Sequence, residues 1–132
     1  MNSIRHRLLP ALALVVVTVA AGWAQDSPAR KELQRVDLSG APGMEVVLSL
    51  SEYKPGDELP VHIHHGVEAA YVLQGGTVKA PGKPAFAVPT GASIMNLRDA
   101  PHGFKVVGDE NIKLVTFHVV DKGKPLFDRA KK

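Results

Sequence analysis

His62, His64 and Glu68 fall within one stretch, Gly56 to Gly75, which reads GDELPVHIHHGVEAAYVLQG. In an extended strand successive side chains point to opposite faces, so His62 and His64 project together while Ile63 faces away. His65-Gly66 can turn the chain, and Glu68 then opens a second run, Glu-Ala-Ala-Tyr-Val-Leu. A neighbouring antiparallel strand lies about 4.8 Å away, close enough for the carboxylate to join the two imidazoles. Two neutral imidazoles and a carboxylate suit a divalent transition metal, and coordination positions left open would admit water, substrate or dioxygen. A His-x-His pair alone is a weak signal. The added glutamate and the flanking glycines strengthen it.

The spacing is Gly56, five residues, His62, one residue, His64, three residues, Glu68, six residues, Gly75. It resembles the first motif of the cupin superfamily without a gap. A second cupin motif, with glycine, proline, glycine, histidine and asparagine at fixed intervals, is laid from Gly91. It puts Leu97 at the proline, Asp99 at the second glycine, His102 at the histidine and Val106 at the asparagine. The first glycine and the histidine are present, and the other three residues differ. The closing VVDKGKPL also resembles the tail of small secreted single-domain cupins. The resemblance spans roughly residues 33 to 127. It implies an all-β, cupin-type double-stranded β-helix, a jelly-roll barrel. In that fold His62, His64, Glu68 and His102 would converge from neighbouring strands of one sheet. They would hold one divalent transition metal (Fe, Mn, Ni, Zn, Co or Cu) with one or two positions open. It also implies a homodimer paired through sheet edges and exchanged terminal strands.

The activity stays open, because cupins include dioxygenases, isomerases, decarboxylases, sugar-binding modules and seed storage proteins. One expectation is a metal-dependent enzyme for a small organic molecule. Dioxygenase-like chemistry of the quercetinase type is the most concrete form and isomerase chemistry the next. Glu68 then serves as ligand or, released from the metal, as the catalytic base. A second is a non-catalytic metal- or ligand-binding module, a sensor or carrier. A third is a structural cupin whose metal clamps the barrel.

Other residues carry weaker signals. His65 reads as a rim or solvent-facing histidine. His118, in phase with Ile112, Leu114 and Thr116, reads as a core or pocket-wall histidine rather than a fifth ligand. Tyr71, Met95, Phe104 and Phe117 read as core or cavity lining, with Phe104 placed at the pocket mouth. Glu58 reads as mouth or solvated face. Arg98 and Asp99 either meet a substrate or form a surface ion pair. No Ser-His-Asp order, phosphate-cradling glycine loop or nucleotide fingerprint is present.

The elements that must position these residues begin after residue 24. Arg5, His6 and Arg7, the apolar run Leu8 to Ala21, and Gly22 and Ala24 before Gln25 form a secretory signal pattern, residues 1–24. The run is short for a membrane anchor, which needs about 20 apolar residues. The expected location is periplasmic or secreted, with membrane contact only before cleavage. Losing Arg5 and Arg7 takes Lys+Arg from 16 to 14 against 13 acidic residues, a mature net charge of +1. With no basic patch interleaved with aromatics, a nucleic-acid partner is not expected. The absence of cysteine removes disulfides from the stability argument.

Residues 25–132 are expected to form one domain, since about 108 residues are too few for two. Asp26 to Glu32 reads as a polar lead-in. Ten prolines and twelve glycines break the chain into short apolar runs. Strands are expected over Leu33–Leu38, Met44–Tyr53, the histidine stretch, Glu68–Leu73, Thr77–Ala80, Pro84–Val88, Ala92–Leu97, His102–Val107 and Ile112–Val120. In the second of these, Met44, Val46, Leu48 and Leu50 share one face, and Glu45, Val47, Ser49 and Ser51 the other.

Overall fold

The computed structural model describes residues 29–130; the signal segment at residues 1–24 lies outside them. Turn residues fall where the sequence puts them and cut the described chain into short strands. These are β1 (Arg30–Asp37), β2 (Met44–Tyr53), β3 (Glu58–Ile63), β4 (Gly66–Gln74), β5 (Gly76–Lys79), β6 (Ala85–Val88), β7 (Ser93–Asn96), β8 (His102–Val106), β9 (Ile112–Asp121) and β10 (Asp128–Arg129). Gly56 shows the principle: at φ 88° it takes a conformation that a side chain disfavours, which turns Lys54–Asp57 into the histidine strand.

The strands form two antiparallel five-stranded sheets, in the orders β1-β2-β9-β4-β7 and β10-β3-β8-β5-β6. From β2 to β5, and again from β6 to β10, the chain crosses to the other sheet at every step. This is the double-stranded β-helix, a jelly roll.

Two differences from expectation go beyond a residue or two at strand ends. The first strand starts at Arg30, not Leu33, so Arg30 to Glu32 belongs to the sheet rather than to a lead-in. Its register with β2 pairs Arg30 with Ser51 and Glu32 with Ser49, then slips by a bulge before Gln34. The side of β1 turned toward the interior thus carries Arg30, Glu32, Arg35 and Asp37, which hydrophobic periodicity cannot detect. Charges there also protect an edge strand from pairing with strangers. The second difference is β10, two residues paired with His62 and Ile63 of β3.

The face of β2 that points inward is the polar one. Glu45, Val47, Ser49, Ser51 and Tyr53 are buried, and Met44, Val46, Leu48 and Leu50 point outward. The same holds on β9, where Thr116 and His118 are buried and Phe117 is 47% exposed. The interior is apolar mainly at its two ends. One end holds Tyr53, Val72, Val78, Val106, Ile112 and Leu114. The other holds Val47, Val120 and Leu126. Polar side chains occupy the space between them.

Tyr71, Met95 and Phe117 therefore neither line the cavity nor fill the core, contrary to expectation. They lie on the outer face of the first sheet, 50%, 61% and 47% exposed. Register sets Phe117 beside Leu48 and Ala69, and Val115 beside Leu50 and Tyr71, so this face is one continuous apolar surface.

Candidate metal centre

His62 stands on β3, His64 one residue past its end, and His102 at the start of β8, which pairs with β3 with His62 opposite His102. Glu68 stands on β4, in the opposite sheet. The four residues do not come from neighbouring strands of one sheet, as expected. The crossing from β3 to β4 carries the carboxylate to the other wall, from which it reaches across the interior. Gly66 makes that crossing tight: a Cβ there would sit 2.1 Å from the Val119 carbonyl oxygen and 2.6 Å from Val120 Cα.

Each imidazole is oriented by a backbone carbonyl. His62 Nδ1–H donates to Pro60 O (2.8 Å), His102 Nδ1–H to Ala100 O (2.9 Å), and His64 Nδ1–H to Leu126 O. A carbonyl only accepts, so the proton sits on Nδ1 and each Nε2 presents a lone pair. These Nε2 atoms converge. His62 Nε2 lies 3.2 Å from His64 Nε2, and Glu68 Oε2 lies 2.6 Å from His64 Nε2 and 3.2 Å from His102 Nε2. One ligand atom from each of the four residues falls within 4.8 Å of all the others. Ligands about 2.1 Å from a common divalent ion sit about 3.0 Å apart when they are cis on an octahedron. Lone pairs this close repel unless a cation lies among them, so the donor set fits a divalent metal.

The surrounding charges agree. Burial pushes His62 down to about 4, with the Pro60 hydrogen bond partly offsetting it. Burial alone would raise the Glu68 carboxyl, but the imidazoles of His102, His118 and His64 gathered around it hold it well below the usual carboxylate range. His102 is pulled down by burial, yet Glu68 and the Ala100 carbonyl outweigh this and raise it.

His118 is the wall residue its phase suggests. It is 3% exposed, outside the four-ligand group, with Nε2 3.6 Å from Glu68 Oε2 and Nδ1 buried without a hydrogen-bond partner among the described residues. Burial lowers it against the pull of Glu68, and the positive charge of Arg30 adds to the lowering. His65 sits at the rim, its Nε2 3.2 Å from Asp128 Oδ2.

The loop before His102 keeps its shape without the motif's proline and glycine. Asp99 takes φ 59°, the left-handed conformation a glycine would supply and aspartate tolerates. Its amide donates to the His64 carbonyl (3.1 Å), tying the loop to the other histidine segment. Arg98 forms a two-point ion pair with Asp121 (2.8 and 2.9 Å), settling its surface role.

A cavity of about 480 Å³ opens from the four residues, lined among others by Tyr53, Leu59, Phe104, Ile112 and Leu114. Phe104 lines it as expected and packs edge-on against Tyr53, ring centres 5.0 Å apart. Glu58 is exposed on β3 and outside the cavity wall.

Sequence reasoning missed three contributors. Phe127 stacks on His62, with ring centres 4.2 Å apart and planes 18° from parallel. An apolar Leu126-Phe127 pair beyond the last long strand was its signal. Arg30 and Thr116 also line the cavity. For Thr116 the signal was polar residues in the inward phase of β2 and β9; Arg30, on β1, had none in hydrophobic periodicity.

The family described as "Cupin domain" matches residues 49–119, more than half of the chain. No curated protein matches the sequence. Among solved structures, the chain is similar to an uncharacterized conserved protein with a double-stranded β-helix domain from Klebsiella pneumoniae. The identity is 16% and the TM-score 0.60, covering 83% of this chain and 89% of that one. The polyketide cyclase RemF from Streptomyces resistomycificus is 20% identical at a TM-score of 0.54, covering 70% and 75%. The DMSP lyase DddQ from Ruegeria pomeroyi is 16% identical at a TM-score of 0.50, covering 60% of this chain and only 40% of the lyase. At these identities the likeness shows the fold.

Proposed function

This chain belongs to the cupin-domain family, and from that premise we propose that it is an exported, mononuclear metal-binding protein acting on a small organic molecule. The observation that carries this is the convergence of three Nε2 atoms, each aimed by a carbonyl behind it, with Glu68 Oε2. Held by His62, His64, Glu68 and His102, a divalent transition metal would supply Lewis-acid or dioxygenase-like redox chemistry at its open positions. The cavity volume lies in the range of small-molecule sites, and most of its lining surface is apolar. Glu68, kept ionised by its imidazole neighbours, binds as carboxylate or accepts a proton at Oε2. The signal pattern at residues 1–24 supports export.

The test is elemental analysis of protein purified from its native compartment without chelator, beside His62→Ala and His102→Ala. About one metal per chain, lost in both variants, is expected. Metal-free native protein, or variants that keep their metal, would overturn the site. Stoichiometric zinc in place of a redox-active ion would remove the dioxygenase-like form. One observation favours a second reading as carrier or sensor: among the described residues Glu68 is the sole carboxylate on the cavity wall. Stabilisation by ligands without turnover would select it.

We further propose that the chain works as a homodimer joined through the outer face of the first sheet rather than through exchanged strands. Leu50, Tyr71, Leu73, Met95 and Phe117 stay 38–61% exposed there. With their half-buried neighbours they offer roughly 600 Å², at the upper end of what a monomer leaves bare and approaching one partner's share of a standard interface. Phe117's own row, Gln34, Leu48, Phe117, Ala69 and Met95, carries no charge, and Lys31 enters the next row only at the β1 edge, so the centre of the face is compatible with its own copy.

A further inference from the structure

The polar wall of the cavity extends past the four ligands. Across β2, β9 and β4, Val47, His118 and Glu68 form one row and Ser49, Thr116 and Ala70 the next on the same face. Successive same-face rows are about 6.6–6.8 Å apart. Arg30 lies opposite Ser51, one row further, and its Nη1 donates back to Ser49 Oγ at 2.7 Å. The guanidinium is therefore drawn over the middle row, and its side chain is only 16% exposed. Arg30, Ser51 and Thr116 all line the cavity, and Thr116 Oγ1 is buried there with no hydrogen-bond partner among the described residues. Glu32 stands 3.7 Å from Nη1, outside the cavity wall. A long cationic side chain laid along this polar wall, beside an unused hydroxyl, is suited to an anion entering with the ligand.

We propose that Arg30, with Thr116 and Ser51, forms a carboxylate subsite one row from the metal ligands. The molecule this cavity takes is then a short carboxylic acid whose metal-facing donor atom lies about 6–7 Å from the acid group. The planar guanidinium matches a carboxylate, and the apolar wall of Leu59, Phe104 and Leu114 packs the carbon chain between the two ends. This inference rests on the metal-centre reading for the position of the ligand's other end.

The test uses adipate and its monomethyl ester as probes, titrated calorimetrically into the mature chain loaded with zinc. In the wild type adipate binds more tightly than the ester, which has only one carboxylate and commits it to the metal. In Arg30→Gln adipate weakens about tenfold or more and the difference between the probes disappears, while zinc content is unchanged. Arg30→Lys restores part of the affinity. Thr116→Val, which keeps the edge strand intact, weakens adipate about threefold and covers the case in which Arg30→Gln does not fold. Adipate binding that is unaffected in the Arg30 and Thr116 variants at full zinc content overturns the subsite and leaves the metal centre standing. So does adipate binding no tighter than the ester in the wild type. A wild type that takes up no zinc fails the metal reading instead. The same titration on the metal-free chain then decides the subsite: an Arg30-dependent preference for the diacid upholds it, and none overturns it.

Discussion

Replacing Phe127 by alanine tests whether the carboxy-terminal segment positions the metal ligands or merely covers them. Phe127 is 8% exposed and stacks on His62, and the Leu126 carbonyl beside it receives the Nδ1 proton of His64. Beyond them, among the described residues, only the two of β10 pair the segment with β3. A buried Phe→Ala change costs about 3–5 kcal/mol. A segment held this lightly can collapse into the space, so about 3 kcal/mol is expected. Set against the 5–15 kcal/mol typical of a domain, the variant still folds, with a Tm lower by about 12–20 °C. Both histidines lose a constraint, so metal affinity should fall about tenfold to a hundredfold, as when partners behind metal ligands are removed. Urea midpoints give the first quantity and competitive zinc titration of the folded variant the second. Zinc affinity within twofold of the wild type, with the stability loss present, would refute the positioning role. Unchanged stability would refute the packing argument itself.

Gly66→Ala forces a Cβ into the backbone of Val119 and Val120, which cannot yield as a side chain can. A loss of about 3 kcal/mol or more is expected by thermal unfolding, and an unchanged Tm would contradict the tight crossing. For the metal-free protein, acidification destabilises. His62 is depressed to about 4, so the unfolded chain binds a proton below its ordinary 6.5 that the folded chain refuses, and stability falls between those values. His102, raised by Glu68, opposes this, and the depressed Glu68 is lost only at still lower pH. The net loss from pH 7 to 5 is about 1–3 kcal/mol in urea midpoints, and a midpoint that rises on acidification contradicts it. Phe117→Lys leaves the inner face untouched and should convert a dimer to a monomer in sedimentation equilibrium. A mass equal to the wild type's would exclude the outer face as the interface.

Much of the site was legible because it depends on local spacing. His62 and His64 lie two apart and Glu68 follows a short turn, so their proximity survives almost any path of the chain. His102 came only through family resemblance, since nothing local ties it to a segment thirty-eight residues earlier. The sheet that Glu68 belongs to was misread, because whether a turn makes a hairpin or crosses between layers depends on what the rest of the chain covers. Asp99 was noticed as a departure from the motif, and the structure shows it keeping the glycine's conformation with an ordinary side chain. Arg30 escaped because a charged edge strand looks like loop to a reader of hydrophobic periods. The two faces of β2 were separated correctly, but composition alone could not say which one was inside.

That last ambiguity exists for the folding chain as well. Sliding β2 by one residue against β9 would turn Met44, Val46, Leu48 and Leu50 inward and send Glu45, Ser49 and Ser51 to solvent. By apolar burial alone the slipped arrangement competes with the native one, and it would pack densely while displacing the polar wall of the cavity. Hydrophobic collapse therefore does not select the working register here. The selection falls to directional contacts, namely the Arg35–Glu45 ion pair, the Arg30–Ser49 hydrogen bond and the imidazole anchors on Pro60, Ala100 and Leu126. A cation captured early by the histidines would act as a proofreader of strand alignment, rewarding the one pairing that keeps them together.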